Sequence, residues 1–391
     1  MKIGILSKGP RLYSTRRLKE VAKRRGHSCR VYNPLDFALH VAEHSPMLFF
    51  RGKQFRCPDA VIPRVGSAET PFALAVLRQL EQMGVFTHND SKAVAIARDK
   101  FRTLQILSRR DIGIPPTSIV HRQIDVYPAI MRLGGAPIII KLLQGTQGVG
   151  VMLAETDKSA EAIVETLQVA QKEVLIQRFV SESQGSDVRA FVVGNRVVAS
   201  MRRSAEPGEF RSNVHRGAHT ERITLDSQSQ NIAVRAAHIL GLRVAGVDIL
   251  ESNEGPKVME VNASPGLEGI EEATGVDVAS AIIEHLEEQV LVPEVDLREK
   301  LSLSTGYGVA EFHIAKRSDL AKRTVSEAQL TEKDVRVLMI TRQGLTIPNP
   351  PDDFVLLSGD GLLCFGKLVS LKALLPSKPQ RKRKRSTANT C

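Results

Sequence analysis

VMEVNASPGLEG, Val258 to Gly269, is the stretch on which the reading of this chain turns. Val258 to Asn262 has the composition of a strand. Strand side chains alternate faces, so Glu260 and Asn262 point the same way. A carboxylate and an amide oxygen on one face are two hard ligands, and Ser264-Pro265-Gly266 then breaks the strand. Upstream, AGVDIL, Ala245 to Leu250, reads as a second strand, and a turn over Asn253 to Pro256 folds the two into a hairpin. A turn centred near Asn253 or Glu254 sets Asp248 opposite or diagonal to Glu260. Two carboxylates and an amide suit magnesium or manganese, whereas zinc prefers histidine or thiolate. Alone, the cluster fits a hydrogen-bonded structural network equally well.

A glycine-rich loop adds to it. KLLQGTQGVG places Lys141, at the end of the apolar strand APIIIK, just ahead of Gly145, Gly148 and Gly150. Backbone amides of such a loop can close over phosphate while the ammonium supplies a point charge. The lysine precedes the glycines, so this is not the G-x-x-x-x-G-K-[ST] loop. Lys100, in ARDK, offers a second ammonium, although its surroundings fit a solvated helix face as well. RRSAEPGEFRSNVHRGA gathers Arg202, Arg203, Arg211, Asn213, His215 and Arg216. Guanidinium groups grip carboxylates and phosphoryl groups bidentately, so this density suggests an anionic substrate, against the plainer reading of a basic loop in solvent. His215 reads as a polar contact, and no G-x-S-x-G elbow or catalytic-looking cysteine is present.

The 391 residues carry 42% hydrophobic and 25% charged side chains, the mixture of an ordinary globular protein of two or three modules. No apolar run approaches the roughly 20 residues of a membrane span. The N-terminus, MKIGILSKGPRLYS, lacks the pattern of a cleaved leader, so a cytoplasmic location is expected. Cys29, Cys57, Cys364 and Cys391 form no CxxC pair and are expected to be reduced. The net charge of +11 favours anionic partners, part of it lying in QRKRKRS, Gln380 to Ser386.

Along the first ninety residues strands alternate with helices: KIGIL, Arg16 to Arg25, CRVYN, DAVIPR and Pro71 to Met83. GILSKGPRL lacks G-x-G-x-x-G spacing, which excludes a dinucleotide fingerprint. The periodicity from Ser91 to Arg110 predicts one helix ended by Pro115 and Pro116, and Thr156 to Ala170 another. VRAFVVG and RVVASMRR form a hairpin about Gly194-Asn195, and a helix spans about Gln228 to Leu240. After residues 291–305 the composition changes, and VAEFHIAKRSDL, VRVLMITRQG and DGLLCFGK read as strands of a small α/β module separated by Pro348, Pro350 and Pro351.

The order RDK, IIIKLLQGTQGVGV, VLIQRFV, SDVRAFVVG, FRSNVHRG, AGVDIL, VMEVNASPGLEG resembles the ATP-grasp ligases, and within them the RimK-type α-L-glutamate ligases. The resemblance implies an α/β architecture: a Rossmann-like pre-ATP-grasp domain over 1–95, a two-lobed ATP-grasp domain over 96–290, and a linker over 291–305. It implies that Lys100, Lys141, Gly145, Gln147 and Gly148 bind ATP phosphates and that Gln177, Arg178, Phe179 and Val180 form the adenine hinge. Asp187, Arg211, Ser212 and Asn213 complete nucleotide binding, Arg203, Arg211, Asn213 and Arg216 serve catalysis, and Asp248, Glu260 and Asn262 hold two Mg2+ or Mn2+ ions. The implied reaction joins L-glutamate to a carboxyl terminus through an acylphosphate, the acceptor being the acidic tail of a small-subunit ribosomal protein or glutamate chains.

Residues 306–376 resemble a second family, the TrkA-C regulatory domain, with its sequence of strand, helix, strand, I-x-P and GD-x-L-x-x-x-G. That resemblance implies a dimerising, ligand-sensing module, hence a homo-oligomer, followed by a basic tail over 377–391. Two alternatives stand beside the glutamate ligase: another ATP-grasp carboxylate–amine ligase with a small amino-acid or peptide substrate, and a non-enzymatic nucleotide-sensing subunit of a potassium transporter.

Overall fold

The computed structural model describes all residues except 44, 67–69, 144–149, 184, 207–208, 211–217, 292–305, 317, 344 and 375–391. The chain divides into two compact units, Met1–Pro293 and Glu294–Cys391. The first begins with β1 (Lys2–Leu6), α1 (Tyr13–Arg24), β2 (Ser28–Tyr32), β3 (Phe37–His40), β4 (Met47–Phe50), β5 (Lys53–Gln54), β6 (Ala60–Pro63), α2 (Thr70–Gln82) and β7 (Phe86–Thr87). A parallel sheet of order β2-β1-β6-β7 results, as the strand–helix alternation predicts. The antiparallel β3-β4-β5 sheet was not foreseen; its Phe37 and Phe50 join Phe55 in an aromatic knot around Tyr32.

The single helix expected from Ser91 to Arg110 is two, α3 (Ser91–Arg98) and α4 (Lys100–Ser108). Asp99 between them is extended, with ψ 96°, and its carboxylate accepts from the Arg102 amide. An acidic N-cap satisfies one of a helix's orphan donors, so the cap outcompetes the continuous periodicity. Lys100 thereby becomes the first residue of a helix.

β8 (Thr117–Ile119), α5 (Val126–Arg132), β9 (Ile138–Leu142), β10 (Val151–Ala154), α6 (Asp157–Val169) and β11 (Val174–Arg178) follow. Their sheet, β10-β9-β11-β8, is antiparallel, with Ile138, Ile140 and Ile176 buried against Ile130, Ala160 and Val164 of the two helices. Strand alternation therefore turns Ile139 and Lys141 to the opposite face.

Next come β12 (Ser186–Val193), β13 (Arg196–Ser204), β14 (His219–Arg222), α7 (Ser227–Ile239), β15 (Val244–Leu250), β16 (Lys257–Asn262), α8 (Glu268–Thr274) and α9 (Val278–Leu291). The strands form a five-stranded sheet of order β14-β13-β12-β15-β16, including both predicted hairpins. One face is apolar: Val188, Ala190, Val192, Val247, Ile249, Val258 and Val261 pack with Ala233, Ala236 and Ala237 of α7. The other face is divided. Phe191, Val193, Ala199 and Met201 bury with Ile270, Ile282 and Ile283 of α8 and α9, while the remaining end is ionic.

Asn89 fastens this sheet to the first. Its left-handed backbone, φ 75°, lets one buried amide donate to Val244 O (2.7 Å) and Ala263 O (2.8 Å) while accepting from the Arg243 and Val244 amides. A second fastening is the ionic ladder between α1 and the α8–α9 region: Arg17 meets Glu271 and Asp277, and Arg25 meets Glu284 and Glu287.

The second unit is an antiparallel sheet of order β17-β20-β18-β19, formed by β17 (Tyr307–His313), β18 (Val335–Arg342), β19 (Leu345–Pro348) and β20 (Gly361–Lys367), with α10 (Leu368–Leu374) after it. Two expectations are corrected. The α-helix anticipated between the first two strands is a series of turns and one 3-10 turn, Thr331–Lys333, among the described residues, because Lys322 and Gln329 hold φ 70° and 47°, outside the helical region. The stretch before Pro350 is also more than a separator, since LTIP pairs with β18 and Pro348 sits at the strand's end. Among the described residues no helix is long and apolar enough to cross a membrane.

Candidate active site

Register places the ionic end of the five-stranded sheet. Asp248 of β15 lies directly opposite Glu260 of β16, and Gly246 opposite Asn262. Between the Asp248–Glu260 and Ile249–Val258 pairs the register slips, leaving Met259 as the extra residue of a β-bulge. Val258 and Val261 are both buried although three residues apart, which a regular strand does not allow. The bulge thus keeps both valines in the core while turning Glu260 and Asn262 to the ionic face.

Across β12 and β13 the same face carries Asp187, Arg189 and Arg203. Asp248 is 3% exposed and held by two arginines: Arg189 Nε donates to Oδ1 (2.8 Å) and Nη2 to Oδ2 (2.7 Å), while Arg203 Nη2 reaches Oδ2 at 3.1 Å. Arg203 Nε donates to Asp187 Oδ1 at 2.6 Å. Burial works against charge at Asp248, but Arg189 and Arg203 outweigh it and hold its carboxyl below the usual range. Burial likewise opposes the Arg203 charge, and Asp248 with Asp187 overcomes it, raising its pKa. Arg203, expected among groups facing the reaction, is instead buried between two carboxylates, where it positions them. Arg189 was missed, although its spacing of two from Asp187 in SDVRAFVV puts both on one strand face.

Glu260 and Asn262 are half-buried and make no hydrogen bond or ion pair among the described residues. The β9 side chain of Lys141 comes within electrostatic reach of them. Its pKa falls to about 8, first through burial and also through repulsion by Lys100, against the pull of Glu260, Asp248 and Asp187. Two lysines and three carboxylates from separate sheets and a helix terminus therefore converge. Gly246 completes the floor, since a Cβ there would lie 2.8 Å from Pro265 Cβ in the loop after β16.

The remaining sequence-predicted residues are placed as follows. Gln177 is buried, its Nε2 donating to Thr117 Oγ1 (2.8 Å), and the Arg178 amide is taken by Pro116 O. Phe179 is half-buried, and Val180 is buried with its carbonyl accepting from Ser183. Gly145, Gln147, Gly148, Arg211, Ser212, Asn213 and Arg216 lie outside the described residues.

The donor set fits a hard divalent cation by its chemistry. Among the described residues the Glu260 carboxylate and Asn262 amide oxygen have no hydrogen-bond partner, and Asp248 retains lone-pair capacity beside its arginines. Among the described residues no group of three or more histidine, cysteine, aspartate and glutamate side chains could hold a metal, so the donor set here depends on the Asn262 amide as well as the carboxylates.

An antiparallel sheet bearing a lysine, set against a larger sheet whose last hairpin bears paired acids and an amide, is the arrangement of the ATP-grasp ligases. Residues 1–94 match the RimK PreATP-grasp domain, 97–286 the RimK-like ATP-grasp domain and 309–376 the TrkA-C domain. A probable alpha-L-glutamate ligase of Rhodopirellula baltica is 54% identical over 384 residues, 98% of this chain and 95% of that protein. One from Azotobacter vinelandii is 52% identical over 287 residues, 73% of this chain and 95% of its own length. The chain belongs to the RimK-type alpha-L-glutamate ligase family and is an ATP-dependent ligase. Solved structures agree on the fold: ATP-grasp ligase PsnB, complexed with a precursor variant, Mg and ADP, has TM-score 0.58 at 24% identity over 74% of this chain and 98% of that one. A RimK domain protein of Sphaerobacter thermophilus gives 0.57 at 24% identity over 73% and 99%.

Proposed function

We propose that this ligase joins L-glutamate to the carboxyl terminus of an acidic protein or peptide in the cytoplasm, the acceptor being the acidic tail of a small-subunit ribosomal protein or a glutamate chain. The observation that carries the reading is the pair Glu260 and Asn262, whose side chains have no hydrogen-bond partner among the described residues, beside Asp248 and a Lys141 whose pKa is lowered. The relatives' names support glutamate, and the net charge of +11 supports an anionic acceptor.

In this mechanism the acceptor carboxylate attacks the γ-phosphorus of ATP, the bond to the β,γ-bridging oxygen breaks, and ADP leaves. The glutamate amine then attacks the acylphosphate carbonyl, the amine loses a proton, and phosphate departs as the amide forms. Lys141 and Lys100 hold the phosphates, joined by the glycine loop with Gly145, Gln147 and Gly148. Gln177 to Val180 receive the adenine, and Arg211, Asn213 and Arg216 stabilise the charge developing on the acyl oxygen. Two Mg2+ or Mn2+ ions, held by Asp248, Glu260 and Asn262, supply charge neutralisation at the phosphates when bound. Arg203 and Arg189 keep Asp248 ionised and oriented for that task. The second unit, as a dimerising ligand-sensing module, sets the rate rather than supplying catalytic groups.

The test is intact mass spectrometry of an acidic-tailed ribosomal protein after incubation with enzyme, ATP, Mg2+ and glutamate. A ladder of glutamate-residue increments is expected. ATP consumption that depends on glutamate without increments would redirect the reading to a small-molecule acceptor, and no glutamate-dependent consumption would overturn it.

A further inference from the structure

β2 is the outer strand of the parallel sheet β2-β1-β6-β7, paired on one side only among the described residues. The Ser28 amide donates to Met1 O (3.0 Å) and Tyr32 O accepts from the Ser7 amide (2.9 Å), so Ser28, Arg30 and Tyr32 turn their backbone groups toward β1. Cys29 and Val31 turn theirs outward, each presenting a donor and an acceptor at an open edge. A cavity of about 500 Å³ runs beside that edge, lined by Cys29 to Asn33, by Lys19 of α1, and by Phe50 and Arg51 at the end of β4. Cys29 and Val31 pack with the core under α1, whereas Tyr32 packs against Phe50. Lys19 and Arg51 therefore flank the open backbone from opposite faces of the strand.

The edge is strongly basic. The first 35 residues hold ten lysines and arginines and one acid, Glu20. Arg17, Arg24 and Arg25 are engaged by Asp277, Glu284 and Glu287, and Arg51 by Asp36. Lys19 and the exposed Arg30, which touches the Tyr32 hydroxyl, have no acidic partner among the described residues. Charge and donor pattern together choose the occupant. A second copy pairing through its own β2 would set these cations against their equivalents, which like charges across a strand pair disfavour. A phosphate backbone brings acceptors only and would leave the outward carbonyls of Cys29 and Val31 unpaired. An extended peptide supplies both donors and acceptors, and acidic side chains on it meet the flanking cations.

We propose that the β2 edge is a docking site for an acidic peptide segment, which joins the sheet as a further strand with its carboxylates against Lys19 and Arg30. The proposal rests on the glutamate-ligase reading for the peptide's identity as the acceptor. Ser7, at the carboxyl end of β1, also lines the cavity. At that same end of the sheet Ser264 donates to Pro63 O (3.2 Å) and the Leu267 amide to Ser14 Oγ (3.0 Å), seating the loop that leaves β16. An acceptor anchored on β2 is thus tethered at the end of the sheet that meets the active-site loop, which raises its local concentration there.

The test uses the full chain and a fluorescent peptide rich in glutamate and valine, with binding read by anisotropy in the absence of ATP and glutamate. Combining Lys19→Glu with Arg30→Glu should raise the peptide Kd roughly tenfold or more while the KM of ATP stays unchanged. The same peptide N-methylated at its central residues keeps its charge and loses its donors, and should bind wild type roughly tenfold more weakly. Hydrogen exchange needs no variant: the Cys29 and Val31 amides should slow when the unmodified peptide is added. An unchanged Kd in the double variant, equal binding of the N-methylated peptide, or unaltered exchange overturns the proposal. Displacement of the peptide by an oligonucleotide of equal charge that itself slows these amides overturns it in favour of nucleic acid, and protection that follows protein concentration without peptide overturns it in favour of a second copy. Wild type whose ATP turnover does not depend on glutamate refutes the ligase reading instead, and the binding constants still decide the edge.

Discussion

Each unit contains a buried aspartate gripped bidentately by an arginine, and the two sites differ in what is left over. In the second unit Arg342 Nε and Nη2 each donate to Asp360 at 2.8 Å, the Leu357 amide donates to the same carboxylate, and Arg342 also reaches Val355 O and covers the Phe354 ring. Every strong group there has a partner, which is how a structural ion pair looks. In the first unit Arg189 and Arg203 satisfy Asp248 and Asp187, yet the Glu260 and Asn262 side chains have no hydrogen-bond partner among the described residues and lie beside a lysine whose pKa burial lowers to about 8. Perturbed and surplus polar groups mark a site built for something else to complete it. The same arginine–carboxylate chemistry closes one unit and prepares the other.

Breaking the shared element should hurt both, unequally. Arg203→Met leaves Asp187 and Asp248 buried with less compensation, so the first unit should lose about 3–5 kcal/mol in denaturant unfolding along with its ligase activity. Removing the surplus should separate function from stability: Glu260→Gln is expected to cut glutamate-dependent ATP turnover at least about a hundredfold, with an unchanged melting temperature. A fall in both together would make Glu260 structural. At the closed pair, Asp360→Asn should cost about 1–3 kcal/mol in the second unit and leave ligation within a few-fold, measured by calorimetry and turnover on the same sample. A dead but folded Asp360→Asn enzyme would erase the contrast.

Titration sharpens the same difference. Lys141 is protonated below about 8 and phosphates favour the protonated form, so ATP affinity should weaken about tenfold between pH 7 and 9, with proton uptake on binding in calorimetry at pH 8.5. The effect should vanish in Lys141→Arg. The smallest expected effect lies in the ladder, where hydrogen bonds from Arg25 and His27 bring the Glu287 carboxyl down to about 2. A depressed carboxylate stabilises above its unfolded pKa and loses that contribution as pH falls through the folded value. Glu287→Gln should therefore flatten the acid side of the stability curve between roughly pH 4.5 and 2, by less than about 1 kcal/mol because the pair is solvent-screened.

Local chemistry made part of this legible beforehand. The Gly194-Asn195 turn and the Asn253 to Pro256 turn fix both hairpins, and once the second closes, the facing of Asp248 and Glu260 follows from register. What stayed hidden depends on contacts between distant segments. Asp99 breaks a helix whose apolar spacing runs straight through it, and the turns at Lys322 and Gln329 replace a helix that the pattern allowed. Asn89 looks like an ordinary loop amide until four backbone partners from β15 and the end of β16 converge on it. Arg203 sat in a basic stretch that suggested exposure, and its burial between two acids is a product of pairing across three strands.

The Met259 bulge works as a frame-setting insertion. Upstream of it β16 counts its side chains in one phase, and downstream in the other. Were the six residues to run as a regular strand with Met259 counted in the ladder, everything after it would invert relative to the hairpin partner: Glu260 and Asn262 would turn toward α7, and Val261 would face the lysines. The side chain of Met259 matters less than its place outside the count, so a library should tolerate Leu, Ile or Gln there, and a chain lacking Met259 altogether should keep Glu260 and Asn262 on the ionic face, whereas one residue more or fewer after Glu260 should not.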